Sequence, residues 1–163
     1  MRFFDGPFEE SQIPIQVWTD GACSGNPGSG GAAAIIRYSN STVKEITFYE
    51  EQSTNQRMEI KAVIIAIAEI LKTSHDEKNI EIYSYSAYVC NCINQEWYKR
   101  WFKNGWINSK KELVANKDLW ENLFQMLNEL KEDYQITFIK VKGHSNDKYN
   151  DMADMLAKEA LGL

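Results

Sequence analysis

Three acidic residues of this 163-residue chain stand where they could do hydrolytic chemistry. Asp20 ends a β-rich run beside a glycine-rich segment, where α/β sheets usually bind ligands. Glu59 enters an apolar helical segment, and a buried carboxylate is costly unless a cation compensates its charge. Asp154 lies inside the last helical segment. Together the three carboxylates favour a divalent metal site with oxygen ligands, for Mg²⁺ or Mn²⁺.

Each of these residues also has an ordinary structural interpretation. Asp20 could start a turn, Glu59 could complement a helix N-terminus, and Asp154 could face solvent. His144 follows Val-Lys-Gly in a polar segment. A histidine there could move a proton near neutral pH, or it could simply be solvated, which is the interpretation that this residue alone favours. Taken singly, the four residues do not define a site.

The hydrophobic pattern predicts the elements that must position these residues. Strands are predicted at 15–19, 32–38, 43–51, 79–84 and 135–141, and helices at 57–71, 87–102, 118–131 and 150–161. Residues 21–31 are predicted to form a glycine-rich loop. A strand meander followed by strands with helical crossovers predicts a mixed α/β sheet covered on both faces. Residues 1–14 are interpreted as an N-terminal extension, and 15–163 as one domain.

Composition narrows the classes of function. With 44% hydrophobic and 25% charged residues the chain has the composition of one globular domain, and its net charge of −5 excludes a simple polycation that coats nucleic acid. The sequence has no apolar run of about 20 residues, so membrane insertion is disfavoured. The three cysteines form no Cys-x-x-Cys pair and are interpreted as free thiols, which favours a cytoplasmic location.

One segment has the opposite charge to the rest of the chain. Residues 98–117 contain six basic side chains and one acidic side chain, and aromatic residues are interleaved with them. Cations neutralise phosphates while aromatic rings pack on sugars and bases, so this composition suits a nucleic-acid backbone. The alternative is an amphipathic helix that buries its aromatic side chains and solvates its lysines, and the pattern alone favours that alternative.

Four motifs in order resemble type 1 ribonuclease H, of the bacterial ribonuclease HI kind. They are residues 19–28 (TDGACSGNPG), 54–59 (TNQRME), 142–144 (KGH) and 150–154 (NDMAD). Residues 97–116 also resemble the basic handle of bacterial members. The resemblance implies a ribonuclease H-like fold, a five-stranded mixed sheet with three antiparallel strands, then two parallel ones, and helices on both faces. It also implies endonucleolytic hydrolysis of the RNA strand of RNA/DNA hybrids.

The resemblance further implies a two-metal site with Mg²⁺, for which Mn²⁺ could substitute. Asp20 would bridge both ions, Glu59 would bind one of them, and Asp154 would bind the other. His144 would help with proton transfer or product release. The expected partner is the hybrid itself, bound by a monomer, and the sequence indicates no membrane or protein partner.

Substrate contacts also follow from the resemblance. The implied set is Cys23, Ser24, Gly25, Asn26, Thr54, Asn55, Gln56, Ser86, Trp97, Lys99, Arg100, Trp101, Lys103 and Asn150. Gln56 replaces the more usual asparagine, and Trp97 stands where an aromatic residue of the handle packs against deoxyribose. Such contacts to backbone and sugar carry little sequence specificity.

The sequence departs from the family at one metal-binding position. The remaining aspartate should follow the fourth strand, where residues 84–89 read SYSAYV and Tyr85 takes its place. A phenol is neutral at pH 7 and is a poor Mg²⁺ ligand, so one metal is expected to bind weakly or not at all. Glu81 cannot substitute, because four strand residues place it about 13 Å away.

Three hypotheses follow from this departure. The first is an RNA/DNA hybrid endoribonuclease that Tyr85 impairs. The second is a catalytically inactive protein that still binds hybrid. The third is a protein-interaction domain on the same fold, and the retention of Asp20, Glu59, His144 and Asp154 argues against it.

Overall fold

The described part of the chain forms one five-stranded sheet. The computed structural model describes residues 13–142 and 147–162. The strands are β1 (Ile15–Gly25), β2 (Gly28–Arg37), β3 (Val43–Ser53), β4 (Asn79–Ser84) and β5 (Gln135–Lys140), in the order β3-β2-β1-β4-β5. β2 pairs antiparallel with β1 and β3, whereas β4 pairs parallel with β1 and β5. The predicted mixed sheet is confirmed.

Helices follow β3, β4 and β5 along the chain. They are α1 (Asn55–Leu71), α2 (Ala87–Asn94), α3 (Trp97–Asn104), α4 (Lys117–Lys131) and α5 (Lys148–Ala160). None of these helices, in the residues that the structure describes, has the length and apolar character needed to cross a membrane. The division into an extension at 1–14 and a domain at 15–163 stays a prediction, because residues 1–12 and 163 lie outside the described residues.

Helices cover both faces of the sheet. Val17 of β1 and Ile36 of β2 are buried in the main core with residues of α1 and α4. Their strand neighbours Trp18 and Ile35 pack instead with Ala153 of α5. Because successive strand residues point to opposite faces, α1 and α5 must lie on opposite sides of the sheet. This arrangement confirms the predicted coverage of both faces.

The segment predicted as a glycine-rich loop, residues 21–31, is mostly strand. Only Asn26 and Pro27 separate β1 from β2, and the two strands pair continuously up to that turn. The loop prediction was therefore wrong. Glycine is frequent in turns, but here most of the glycines of the segment lie within paired strands.

Close helix packing explains two of these glycines. A Cβ atom on Gly21 would lie 2.5 Å from the backbone carbonyl carbon of Met58 in α1. A Cβ atom on Gly31 would lie 2.2 Å from the backbone oxygen of Ala157 in α5. Only a residue without a side chain lets a helix approach a strand this closely. The two glycines therefore bring the helices that carry Glu59 and Asp154 against the central strands.

The helix predicted at 87–102 is two helices, α2 and α3. Glu96 lies between them with φ 56°, in the left-handed region that interrupts a helix. The helical pattern of the sequence gives no sign of this backbone angle, so the break between the two helices was not predicted. The other predicted elements are found with ends that differ by a few residues.

Candidate active site and nucleic-acid interface

Two of the predicted carboxylates meet beside the central strand. Asp20 lies on β1, and Asp154 lies on α5, which packs against β1. Both side chains line one cavity of about 280 Å³. Oδ1 of Asp20 accepts a hydrogen bond of 2.9 Å from the backbone N–H of Gly21. Two carboxylates that face one small cavity repel each other unless a positive charge lies between them, so the pair is a position for a cation.

The electrostatics of the pair fit a cation. Burial, and then the charge of Asp154, raise the pKa of Asp20 to about 7. The ammonium of Lys158 lies 3.1 Å from Oδ2 of Asp154, so this carboxylate is already ion-paired with a cation. Carboxylate oxygens are the ligands that Mg²⁺ and Mn²⁺ prefer. The donor chemistry of the pair is therefore that of a divalent metal site.

Glu59 lies on α1, close enough for its charge to contribute to the raised pKa of Asp20. Burial raises the pKa of Glu59, whereas a hydrogen bond from Ser86 and the charge of Lys140 lower it. Ser86, predicted as a substrate contact, is only 4% exposed. Its Oγ also accepts a 3.1 Å hydrogen bond from the N–H of Val89 and so caps α2. Ser86 therefore lies beside Glu59 and caps α2, and its burial leaves it little surface to offer a substrate.

Tyr85 directly follows β4, the strand beside β1. It is half-buried and lines a cavity of about 280 Å³ together with Asp20, Asp151 and Asp154. A phenol therefore stands beside the carboxylate pair. Within the described ranges, no three His, Cys, Asp or Glu side chains are grouped so that they could hold a metal ion. The pair fits an ion, but the site has fewer acidic ligands in reach than the four that the resemblance implied.

Of two further predicted site residues, Asn150 is described by the structure and His144 is not. His144 falls within residues 143–146, which lie outside the described residues. Asn150 lies in the first turn of α5, is 3% exposed, and has an interaction partner within the protein. Burial leaves its side chain little surface to offer a substrate.

Asp147 fixes the start of α5 on the sheet. Its Oδ1 accepts a 2.9 Å hydrogen bond from the N–H of Tyr149, which caps the helix. Its Oδ2 accepts a 3.0 Å hydrogen bond from Nε1 of Trp18 on β1. The rings of Trp18 and Tyr149 are 4.5 Å apart. The helix that carries Asp154 is therefore tied to the strand that carries Asp20.

The predicted contacts near the first turn form a second group. Oδ1 of Asn26 accepts a 3.2 Å hydrogen bond from the N–H of Asn55, which joins the β1–β2 turn to the start of α1. Thr54 caps α1 by accepting a 3.2 Å hydrogen bond from the N–H of Arg57. Sγ of Cys23 lies 3.5 Å from two backbone oxygens. The exposed members of the group are Ser24, Gly25, Asn26, Asn55 and Gln56.

A groove of about 340 Å³ brings Gln56 together with residues of the basic segment. Trp97, Arg100 and Trp101 line it from α3. Arg100 is exposed, Trp97 is half-buried, and Nε1 of Trp97 donates a 3.0 Å hydrogen bond to Gln95. The groove offers a guanidinium, an amide and an indole, which is a combination suited to a sugar-phosphate backbone.

The packing alternative is correct for two aromatic residues of the basic segment. Trp101 and Trp106 are 7% and 6% exposed, with rings 5.6 Å apart, and they pack with the buried Trp120 just beyond the segment, whereas Phe102 is 55% exposed. Lys99 and Lys103 are exposed, and Lys99 is ion-paired with a glutamate one turn earlier. The buried indoles thus form the base of a segment whose cations lie at the surface.

Arg57 links the start of α1 to the end of the basic segment, and its sequence context did not mark it as a site residue. Its guanidinium donates hydrogen bonds of 3.0 and 2.9 Å to the Asp118 carboxylate of α4, and a longer one of 3.4 Å to Asn116. Glu50 of β3 lies 3.7 Å away. The hydrogen bond raises the pKa of Arg57 and lowers that of Asp118. No local spacing could have revealed these partners, which lie on distant segments.

Comparisons with known proteins agree with this architecture. The family model described as RNase H matches residues 12–162. The Ribonuclease H of Chlorobaculum parvum is 48% identical over 147 residues, which cover 90% of this chain and 94% of that protein. LC9-RNase H1, described as a type 1 RNase H with the type 2 active-site motif, has a TM-score of 0.77 at 24% identity over 93% of this chain and 73% of its own. LC11-RNase H1, solved in complex with RNA/DNA hybrid, has a TM-score of 0.64 at 21% identity. The match covers 90% of this chain and 96% of that one.

The sheet order, the helices on both faces and the carboxylates beside the central strand define an α/β domain with an acidic hydrolytic site. Given the family match and the 48% identity to a named relative, the chain belongs to the ribonuclease H family of enzymes. The solved structures, at under 25% identity, share its fold.

Proposed function

We propose that this chain is an endonuclease that hydrolyses the RNA strand of RNA/DNA hybrids with Mg²⁺ or Mn²⁺ as cofactor. The carboxylate pair of Asp20 and Asp154, beside the central strand of a ribonuclease H domain, is the observation that carries the proposal. The hybrid bound by LC11-RNase H1, a protein of the same fold, supports the choice of substrate.

Asp20 and Asp154, which face one cavity, are proposed to hold one ion, and Glu59 would help Asp20 to hold a second. When bound, divalent ions activate the attacking water and stabilise the leaving oxygen of an in-line displacement. The burial that raises the pKa of Asp20 would favour a bound cation beside it, and Asp154 would turn from the ammonium of Lys158 toward that cation. Ser86 is proposed to help position Glu59, whose pKa it lowers. His144 is proposed to assist proton transfer or product release.

The surface around the groove is the proposed substrate-binding face. Arg100 would neutralise a phosphate of the DNA strand, and Trp97 would pack against a deoxyribose. Asn26 and Asn55, which are hydrogen-bonded to each other, would meet the minor groove. A 2′-hydroxyl is present only on the RNA strand, so polar contacts at this position distinguish the two strands. Cys23, Ser24, Gly25, Thr54 and Gln56 belong to the same proposed face.

The proposal includes a reduced rate, because Tyr85 replaces a metal-binding aspartate. If the lost ligand is worth several kcal/mol in the transition state, the rate falls by roughly two to three powers of ten, since about 1.4 kcal/mol is tenfold. A second candidate function is hybrid binding without cleavage. The position of the Tyr85 phenol in the cavity of Asp20 and Asp154 favours it.

Cleavage of an end-labelled RNA/DNA hybrid tests the proposal. We expect slow cleavage by the unmodified chain and an increase of about 100-fold in Tyr85→Asp, because a carboxylate restores a metal ligand. The rates are measured in Mg²⁺ and in Mn²⁺, with Asp20→Asn as the inactive control.

The outcomes separate the two functions. Tight hybrid binding with cleavage only after Tyr85→Asp would assign the chain to hybrid binding alone. Equal rates for the unmodified chain and Tyr85→Asp, with both rates lost when Asp20→Asn is added, would refute the proposed impairment but retain the nuclease.

We also propose that the enzyme acts as a cytoplasmic monomer. The groove and the carboxylate pair are both built within one chain, so the proposed reaction needs no second copy. Light scattering behind a sizing column would measure the mass, and a stable dimer would contradict this part of the proposal.

A further inference from the structure

A further carboxylate faces the cavity of the proposed metal site. Asp151 lies one helical turn before Asp154 on α5, and residues spaced by three share a helix face. Asp151 lines the same cavity as Asp20, Tyr85 and Asp154. Its side chain is exposed, and no hydrogen bond or ion pair to another described residue holds its carboxylate. Asp151 can therefore respond to a cation that enters the cavity.

Glu81, the acidic residue of β4, is hydrogen-bonded away from Tyr85. Oε1 of Glu81 accepts a 2.7 Å hydrogen bond from the hydroxyl of Tyr83 and a 3.3 Å hydrogen bond from Gln16. It is thus tied to the far part of β4 and β1. The cavity itself is lined by Asp151, not by Glu81.

The geometry indicates how Asp151 would act. Its carboxylate, Asp20 and Asp154 are not grouped so that all three could hold an ion directly. Mg²⁺ usually keeps several of its waters and takes only one or two carboxylates as direct ligands. A nearby carboxylate can accept a hydrogen bond from such a water, and outer contacts of this kind tune metal affinity by about 10- to 100-fold.

We propose that Asp151 is an additional acidic residue of the divalent-metal site, acting on the ion through an intervening water and supplying part of the negative charge that residue 85 lacks. This inference rests on the proposed function, because it assumes that Asp20 and Asp154 bind the ion. Asp151 is a positioning residue in this scheme, not a direct ligand.

Calorimetric titration of the full chain with Mn²⁺, without any nucleic acid, tests the inference. The variants are Asp151→Asn, Tyr85→Asp and the double variant. We expect Asp151→Asn to weaken Mn²⁺ binding by about 10-fold when residue 85 is Tyr. The loss should be under about threefold in the Tyr85→Asp background, where a carboxylate already completes the site. Asp151→Glu, which keeps the charge, should retain most of the affinity.

A matched control isolates position from charge. Glu159→Gln removes one exposed charge from the last turn of the same helix, and it should leave Mn²⁺ affinity within about twofold. The inference would be overturned if Asp151→Asn and Glu159→Gln lowered the Mn²⁺ affinity equally. It would also be overturned if Asp151→Asn lowered the affinity by the same factor whether residue 85 is Tyr or Asp. Thermal unfolding of each variant confirms that it is folded.

Two further variants separate this inference from the proposed function. If Asp20→Asn and Asp154→Asn abolish Mn²⁺ binding while Asp151→Asn has no effect, only the role of Asp151 fails. If Mn²⁺ binding survives in Asp20→Asn and Asp154→Asn, the metal assignment within the proposed function fails as well.

Discussion

At the scale of single residues, Asp20 destabilises the metal-free protein. Burial and the charge of Asp154 raise the pKa of its carboxyl group from 3.8 to about 7. Between these two values the native state holds a proton that the unfolded chain releases. Stability therefore falls as the pH rises from about 4 to about 7, and the full cost is present above that window.

Replacing Asp20 by Asn should stabilise the protein in the absence of metal. The amide has nearly the same size and carries no charge, so burial costs less and the repulsion by Asp154 is removed. At pH 8 with a chelator we expect the Tm of Asp20→Asn to rise by about 3 °C or more, because 1 kcal/mol corresponds to about 2–4 °C in a domain of this size. At pH 4 the difference should nearly vanish. Calorimetry at both pH values checks this, and a gain that is independent of pH would contradict the electrostatic cause.

The sequence predicted Asp20 and Asp154, which the structure brings to one cavity, but not the residues that surround them. Asp20, Glu59 and Asp154 could be named because they fall within motifs. Ser86 lies close enough to Glu59 to lower its pKa, and this approach of two distant segments depends on the whole fold. Asp151 was overlooked even though its spacing to Asp154 was visible, because exposed acidic residues on helices are common.

At the scale of elements, α5 is held to the sheet by Asp147, the residue that caps its start. Asp147 accepts hydrogen bonds from the indole of Trp18 and from the N–H of Tyr149. Trp18 is 3% exposed, so its indole N–H depends on this carboxylate. The two bonds set where α5 begins, and hence where Asp154 stands opposite Asp20.

Removing this carboxylate should cost measurable stability. Asp147→Ala removes a helix cap and leaves a nearly buried N–H group without its partner, so we expect a loss of about 2 kcal/mol in the free energy of unfolding. Asp147→Asn retains one acceptor and should lose about half as much. Urea denaturation measures both values, and an Ala variant as stable as the parent would show that the contact contributes nothing.

Elements with strong local patterns were predictable, whereas breaks set by packing were not. The apolar run of α1 and the β-branched runs of β3 and β4 were found from their sequences. Glu96 divides α2 from α3 through its backbone angle, which nothing in the neighbouring residue types indicates. The glycine-rich segment was misassigned to a loop, because Gly21 and Gly31 are required by contacts with helices that are distant in sequence.

At the scale of the whole molecule, charge is divided between two regions. Residues 98–117 carry a net charge of +5 and the rest of the chain carries −10. The ion pair of Arg57 and Asp118 ties the start of α1 to α4, next to the basic segment. A polyanion is therefore attracted to one side of the protein and repelled by the remainder, which orients it before contact.

Neutralising the basic side should weaken hybrid binding and reduce its salt dependence. For the triple variant Lys99→Gln, Arg100→Gln and Lys103→Gln, the slope of log K against log salt should fall by up to about 3, since each phosphate contact contributes about 0.9. Fluorescence anisotropy with a labelled hybrid and no divalent metal measures the slope. The control neutralises Lys44, Lys72 and Lys78, at the opposite end of the sheet. Identical slopes for the two triple variants would contradict the assignment of the handle.

Because Gly21 packs directly against the backbone of α1, substitutions at position 21 and in the apolar core should have different effects on the site. A Cβ atom there would lie 2.6 Å from the backbone nitrogen of Glu59, so strand and helix touch through their main chains. The distance between the segments that carry Asp20 and Glu59 is thus set without any intervening side chain. Substitutions in the apolar core can then lower stability while the spacing of these carboxylates is conserved, whereas even the smallest side chain at position 21 would push them apart.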